Sequence, residues 1–217
     1  MALPTYLSIV NNILVRMREP EVTTVQENTL SKLVGRLVND AKKQVEDSYQ
    51  WNALTDTLII DTIAGTYGYT LNGSGQRFKV IDVQDVTNKR FIKPVSTSYM
   101  TSLLIGNTSR SAPAYYNFNG VHDNGDTKVD FYPIPDAVGK IYFNVYVPQE
   151  DLTADTDELW VPGLPVELGA YARALVERGE DGGLNSSEAY ALYRSALADA
   201  ISVESSRFVE EETWEAV

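Results

Sequence analysis

The sequence contains no cysteine. That absence removes disulfide frameworks, zinc–thiolate centres, iron–sulfur clusters and cysteine nucleophiles. Histidine is nearly missing as well: His122 stands alone among 217 residues. A multi-histidine metal site is therefore impossible, and any catalytic triad has to run through that one side chain. No stretch approaches the roughly 18 consecutive apolar residues that a membrane span needs. The opening Met1-Ala2-Leu3-Pro4-Thr5 lacks a basic segment followed by an apolar run, so a soluble intracellular product with no membrane partner is expected. Basic residues are in deficit, 18 Lys+Arg against 30 Asp+Glu, which gives a net charge of −12. What is present is ordinary globular material: 43% hydrophobic and 22% charged residues exclude a wholly disordered chain and supply a core.

The negative charge is concentrated in one place. Residues 1–50 carry 6 basic and 6 acidic side chains, residues 51–150 carry 8 and 9, and residues 151–217 carry 4 and 15. The last third thus holds a net −11. Tight nucleic-acid binding is disfavoured, because its affinity comes from cations that neutralise phosphates. Glu210-Glu211-Glu212, close to Glu215, reads either as a solvated acidic tail or as a docking segment, since Phe208 and Trp214 bracket the run as two large aromatic anchors.

Hydrophobic spacing organises the rest. Leu3, Tyr6, Leu7, Val10, Leu14 and Met17 recur at helical intervals, with Pro4 suited to the first turn and Pro20 beyond the end. Leu30, Leu33, Val34, Leu37, Val38, Ala41, Val45 and Tyr49 follow the capping-type residues Asn28 and Thr29 and predict a second helix of about 20 residues. Its Lys32, Arg36, Lys42 and Lys43 read as a basic stripe on a solvated face. After Trp51 the texture becomes strand-like over 54–62, 67–71, 78–86, 90–95, 114–118, 128–132 and 140–147. In the last run Ile141, Phe143, Val145 and Val147 alternate with Tyr142, Asn144 and Tyr146, as in a half-buried strand. A short helix over 96–105, ended by Gly106, interrupts the strands, and Asp123-Asn124-Gly125-Asp126 predicts a hairpin turn with positive φ angles. Helical spacing returns over 164–178 and again after Gly182-Gly183, where Asn185, Ser186 or Ser187 is placed to cap a last helix. The expected fold is α+β: N- and C-terminal helices form a four-helix bundle with a central antiparallel β-rich insertion. The expected segments are residues 1–52, the N-terminal helical pair; 53–150, the β-rich insertion; 151–204, the C-terminal helical pair; and 205–217, the acidic tail.

The sequence carries few motifs that point to chemistry. Gly73-Ser74-Gly75 lacks a following Gly-Lys-Ser/Thr and reads as a turn, and the His122-Asp123 neighbours read as turn chemistry. Asp151, Asp155, Asp157 and Glu158 offer oxygen ligands without the glycine and spacing of a calcium loop. No catalytic residue, metal ligand or cofactor site is expected.

Three stretches carry a resemblance. The first is Val10-Asn11-Asn12-Ile13-Leu14, Arg18-Glu19-Pro20 and Val22-Thr23-Thr24-Val25, leading to a long helix that ends near Trp51-Asn52. The second is Asp130-Phe131-Tyr132-Pro133-Ile134-Pro135-Asp136. The third is Leu152-Thr153-Ala154-Asp155-Thr156-Asp157-Glu158-Leu159, then Val161-Pro162 and a helix with Ala170, Tyr171 and Ala172. In order and spacing the chain resembles the bacteriophage head-to-tail adaptor proteins, which include the tail tubular protein A of short-tailed phages, although its β-rich middle is somewhat longer. The resemblance implies a structural virion protein without catalysis. It implies a homo-oligomeric ring, commonly dodecameric, that docks beneath the portal protein and presents a surface to the tail nozzle, tail tube or stopper, with DNA passing through the lumen without specific binding. It places the protein in the virion neck, and in the host cytoplasm during assembly. The segment with Phe208, Glu210, Glu211, Glu212 and Trp214 is the chosen portal contact. An acidic wall fits such a conduit, because it repels the phosphate backbone. Alternatives are a head-completion or stopper protein of a long-tailed phage, a carboxylate-dependent glycan-acting enzyme using Asp155 and Asp157, and a ligand-binding β module suggested by the 13 tyrosines.

Overall fold

The computed structural model describes residues 3–106, 109–179 and 184–207. Among these the fold is α+β, with five helices and two four-stranded sheets. The chain divides into two compact units, one made of residues up to Ala53 together with those from Gln149 onward, the other of Leu54–Pro148.

The first unit is helical. Helix α1 (Tyr6–Arg16) begins where Thr5 Oγ1 accepts the Ser8 N–H at 3.3 Å, and it buries Tyr6, Ile9, Val10, Ile13 and Leu14 along one face. The cap at Thr5 leaves Pro4 ahead of the helix, not in its first turn as the spacing suggested. Helix α2 (Thr29–Ser48) starts at a reciprocal cap: Ser31 N–H donates to Asn28 Oδ1 at 2.8 Å, and Asn28 N–H donates to Ser31 Oγ at 3.1 Å. Val34, Leu37, Val38, Ala41 and Val45 form its buried stripe, and the Trp51 indole N–H beyond its end donates to the Val45 carbonyl at 2.7 Å.

The C-terminal part of this unit contributes two more helices, numbered α4 and α5 in chain order after the single helix of the β unit, α3 (Thr97–Gly106). Helix α4 (Gly163–Arg178) ends at Gly179, whose left-handed φ of 64° closes the last turn through a bond to the Leu175 carbonyl. Helix α5 (Leu184–Ser205) already includes Asn185, Ser186 and Ser187, so the residues expected to cap it lie inside its first turn. Helices α1, α2 and α4 pack on one another, and α5 joins them through α4. Close approach explains two glycines: a Cβ at Gly35 would collide with Tyr6 Oη and Val25 Cγ1, and one at Gly169 would lie 3.1 Å from the Tyr193 ring.

The second unit contains β1 (Thr55–Asp61), β2 (Gly68–Leu71), β3 (Lys79–Asp85), β4 (Arg90–Phe91), β5 (Lys93–Pro94), β6 (Tyr115–Val121), β7 (Thr127–Tyr132) and β8 (Lys140–Tyr146). One sheet has the order β1-β8-β3-β4 and the other β2-β7-β6-β5. Ile60, Val83, Ile141, Phe143 and Val145 from the first meet Leu71, Tyr116, Val129 and Phe131 from the second in one core. Ring centroids of Phe131 and Phe143 lie 6.1 Å apart, and those of Tyr116 and Phe143 5.5 Å apart. Strand β8 buries Ile141, Phe143 and Val145 and leaves Tyr142, Asn144 and Tyr146 half-buried, as its alternation predicts.

Two expectations change. The run 90–95 is not one strand: Ile92 is buried between β4 and β5, and the chain there crosses from one sheet to the other. Strand β5 then pairs parallel with β6, so the unit is not wholly antiparallel. In the β6–β7 hairpin, only Gly125 of the Asn-Gly pair takes a positive φ, 91°. Its N–H donates to the His122 carbonyl, and His122 N–H donates to Asp126 O, a closure that needs one left-handed residue and not two. Helix α3 packs against β6 and β7 and buries Met100.

Candidate functional site

The acidic connector before α4 is built as a strap across the N-terminus of α1. The first N–H groups of a helix have no partner within it. Here Tyr6 N–H donates to the Asp157 carbonyl at 2.8 Å and Leu7 N–H to the Asp155 carbonyl at 3.2 Å, while Leu159 N–H returns a bond to the Pro4 carbonyl at 3.0 Å. The carboxylates are also engaged. Asp155 Oδ1 accepts Val25 N–H at 3.0 Å, and Asp157 Oδ2 accepts Thr153 N–H at 2.7 Å and Ala154 N–H at 2.8 Å. Those amides, Thr153 first, hold the Asp157 carboxyl below its ordinary pKa range, the wrong direction for a general acid. Leu152, Leu159 and Val161 of the strap are buried. Among the described residues no cluster of three or more His, Asp or Glu side chains is arranged to hold a metal ion.

A buried cation fixes the other end of the strap. Lys42, read from the sequence as part of a solvated stripe, is fully buried. Its Nζ donates to the carbonyls of Gln149 at 2.6 Å and Glu150 at 2.9 Å and pairs with Glu46 Oε1 at 3.1 Å. The signal was present in the sequence, because Lys42 falls four residues after Val38 and three before Val45, on the apolar stripe of α2. Asn39 completes the seam, donating to the Leu152 carbonyl at 3.0 Å and accepting Leu152 N–H at 2.8 Å. Lys43 pairs with Asp151 at the surface. Lys32 and Arg36 are exposed, as expected.

The same unit carries a groove of about 890 Å³ between α5 and the start of α4, walled by Leu3, Trp51, Trp160, Leu164, Leu192 and Val203. Glu204 sits at its end, buried, accepting Asn52 N–H at 2.8 Å on Oε1 and the Arg207 guanidinium at 3.0 Å on Oε2. Phe208, Glu210, Glu211, Glu212 and Trp214, the residues singled out for docking, lie outside the described residues.

The β unit resolves the remaining motifs as turns. The amides of Gly73 and Gly75, which would face a phosphate in a nucleotide loop, both donate to Asp126 Oδ1 at 3.1 Å. The Gly75 amide foremost, with Gly73, Asn124 and His122, keeps that carboxyl below its ordinary range. His122 Nδ1 lies 3.0 Å from Asn124 Oδ1 within the same exposed turn. Among the described residues, no helix is long and apolar enough to cross a membrane.

These features describe a scaffold: strapped helices, an apolar groove, and carboxylates committed to backbone amides. A family model described as SU10 adaptor protein matches residues 4–211, and the chain therefore belongs to the SU10 adaptor protein family, a family of phage adaptors. No curated protein matches the chain.

Proposed function

We propose that this protein is a structural component of the phage neck, a head-to-tail adaptor whose copies form a dodecameric ring between the portal and the tail nozzle or tube, in the manner of tail tubular protein A. The observation that carries this reading is the family match across residues 4–211. In this reading the α1–α2 and α4–α5 pairs act together as a four-helix bundle at the contacts between subunits. The β unit, the central insertion, faces the tail. DNA crosses the lumen during ejection without specific binding, which accords with a net charge of −12. The role involves no catalysis and no cofactor. The protein resides in the virion and reaches it from the host cytoplasm during assembly.

Electron microscopy of particles from the source lysate tests the reading. A closed ring of this chain beneath the portal is expected; particles that lack the chain would overturn it. A ring seated lower, against a tail-completion component, would instead favour the stopper of a long-tailed phage.

Portal contact is assigned to the segment with Phe208, Glu210, Glu211, Glu212 and Trp214. Because α5 runs to Ser205 and Glu204 anchors it to Asn52, truncation belongs after Arg207. The chain lacking 208–217 is expected to keep its circular dichroism and melting curve and to lose capture by the portal. Undiminished capture would remove the assignment.

A further inference from the structure

The apolar stripe of helix α5 is wider than the part that is buried. Ala189 and Tyr193 are buried, whereas Leu192 and Val203 line the groove and remain 59% exposed each. Exposed apolar residues that flank a buried stripe and line a groove mark a surface suited to a partner. Glu188 and Asp199 each precede one of these residues by four positions, and so edge the same face. Neither makes an ion pair among the described residues. An apolar groove with the unpaired carboxylate of Asp199 in its wall, and Glu188 beside Leu192 on the same helix, selects an apolar partner that brings cations.

The chain itself carries such a surface. Lys32, Leu33 and Arg36 share an exposed face of α2, and neither cation has an ion-pair partner among the described residues. Lys32, at the end of the first turn, opposes the helix dipole, so its charge does not serve the stability of α2. The segment after Arg207 is the poorer occupant, because Glu210, Glu211 and Glu212 would meet carboxylates of their own sign.

We propose that the groove receives the Lys32-Leu33-Arg36 face of α2 from a second copy of the chain. Leu33 enters between Trp160 and Leu192, and Lys32 and Arg36 meet Glu188 and Asp199. The two patches differ, so the contact is head-to-tail and repeats from copy to copy, as a ring requires. The proposal rests on the ring reading and names its subunit interface.

The absence of cysteine makes the test clean. Particles are assembled with the chain carrying Leu33→Cys and Leu192→Cys, oxidised, and run on a non-reducing gel. Both positions are exposed, and the melting curve of the purified variant checks its fold. A ladder of covalent multimers is expected from the double variant and none from either single variant. A lone monomer band from particles whose ring is visible by microscopy would overturn the interface and leave the ring standing. Crosslinking of the Leu192→Cys chain to the portal would give the groove to the portal instead, and particles without a ring would remove both. Charge exchange supplies the second measurement. Arg36→Glu is expected to reduce incorporation about tenfold, and addition of Asp199→Arg to restore it; no restoration would count against the pairing.

Discussion

Lys42 shows how much one side chain decides in this fold. Its ammonium has lost its water and has two carbonyls and a carboxylate in exchange. Removing one member of a buried pair strands the other, at a cost of about 3–5 kcal/mol, whereas a surface pair is worth under about 1 kcal/mol. Lys42→Met is therefore expected to lower the urea midpoint strongly, and Lys43→Met, which removes an exposed pair with Asp151, to change it little. Equal effects would mean that Lys42 is not the anchor of the strap. Asp130 carries the opposite lesson. Burial raises its carboxyl pKa, and the bond from Asn119 Nδ2 at 2.8 Å offsets this only in part. A raised folded pKa means that stability is full while the group is protonated and is lost as pH climbs through the folded value. Asp130→Asn, which keeps an acceptor for Asn119, is thus expected to raise the melting temperature at pH 7 by roughly 2 °C or more, with the gain shrinking toward pH 3. A gain that grows on acidification would reverse this assignment.

Elements were legible where the cause of an element is local. The 3.6-residue stripe and the Asn28 cap locate α2, and strict alternation locates β8, because both depend on neighbours within a few positions. Contacts made across the sequence were not legible. The place of Lys42 on the apolar stripe marks its burial, but its partners Gln149 and Glu150 lie more than 100 positions away and no local pattern names them. The run 90–95 was misread because sheet membership is settled by partners as distant as Val83 and Ala114. The groove is not legible because the exposed Leu192 and Val203 share the helical apolar spacing of buried residues such as Ala189 and Tyr193. Gly35 belongs to this class too, since inside a helix it looks like a mere weakness. By propensity alone Gly35→Ala would stabilise α2 by about 1 kcal/mol. Its Cβ, however, would lie 2.7 Å from Val25 Cγ1 and collide with Tyr6 Oη, so a net loss of about 1–3 kcal/mol is expected by chemical denaturation. Adding Tyr6→Phe removes the Oη and should return part of it. A Gly35→Ala chain more stable than the parent would show that α1 and α2 are not in close contact there.

At the scale of the whole molecule, the governing feature is how the β unit enters and leaves. Thr55 and Tyr146 are directly paired in β1 and β8, and Val147 N–H donates to the Leu54 carbonyl at 2.8 Å, so the two ends of Leu54–Pro148 meet. A unit whose ends meet and whose core draws on its own two sheets has what independent folding requires. Residues 54–148 made alone are expected to give a β-rich circular dichroism spectrum, dispersed amide resonances and one cooperative melt. The full chain should show two calorimetric transitions, one of which matches that fragment. Bridging Ala53 to Gln149 with a short glycine-serine link should leave the helical unit folded, because closing so small a gap adds little loop entropy. A collapsed fragment with poorly dispersed resonances would mean that the sheets depend on the helical unit. Under the proposed neck role the distinction has a mechanical consequence: with independent folding, the residues proposed to face the tail can change within 54–148 without disturbing the strap, the groove or the helices proposed to bind neighbouring copies. With coupled folding, every change in the β unit would also act on the helices proposed to form the ring.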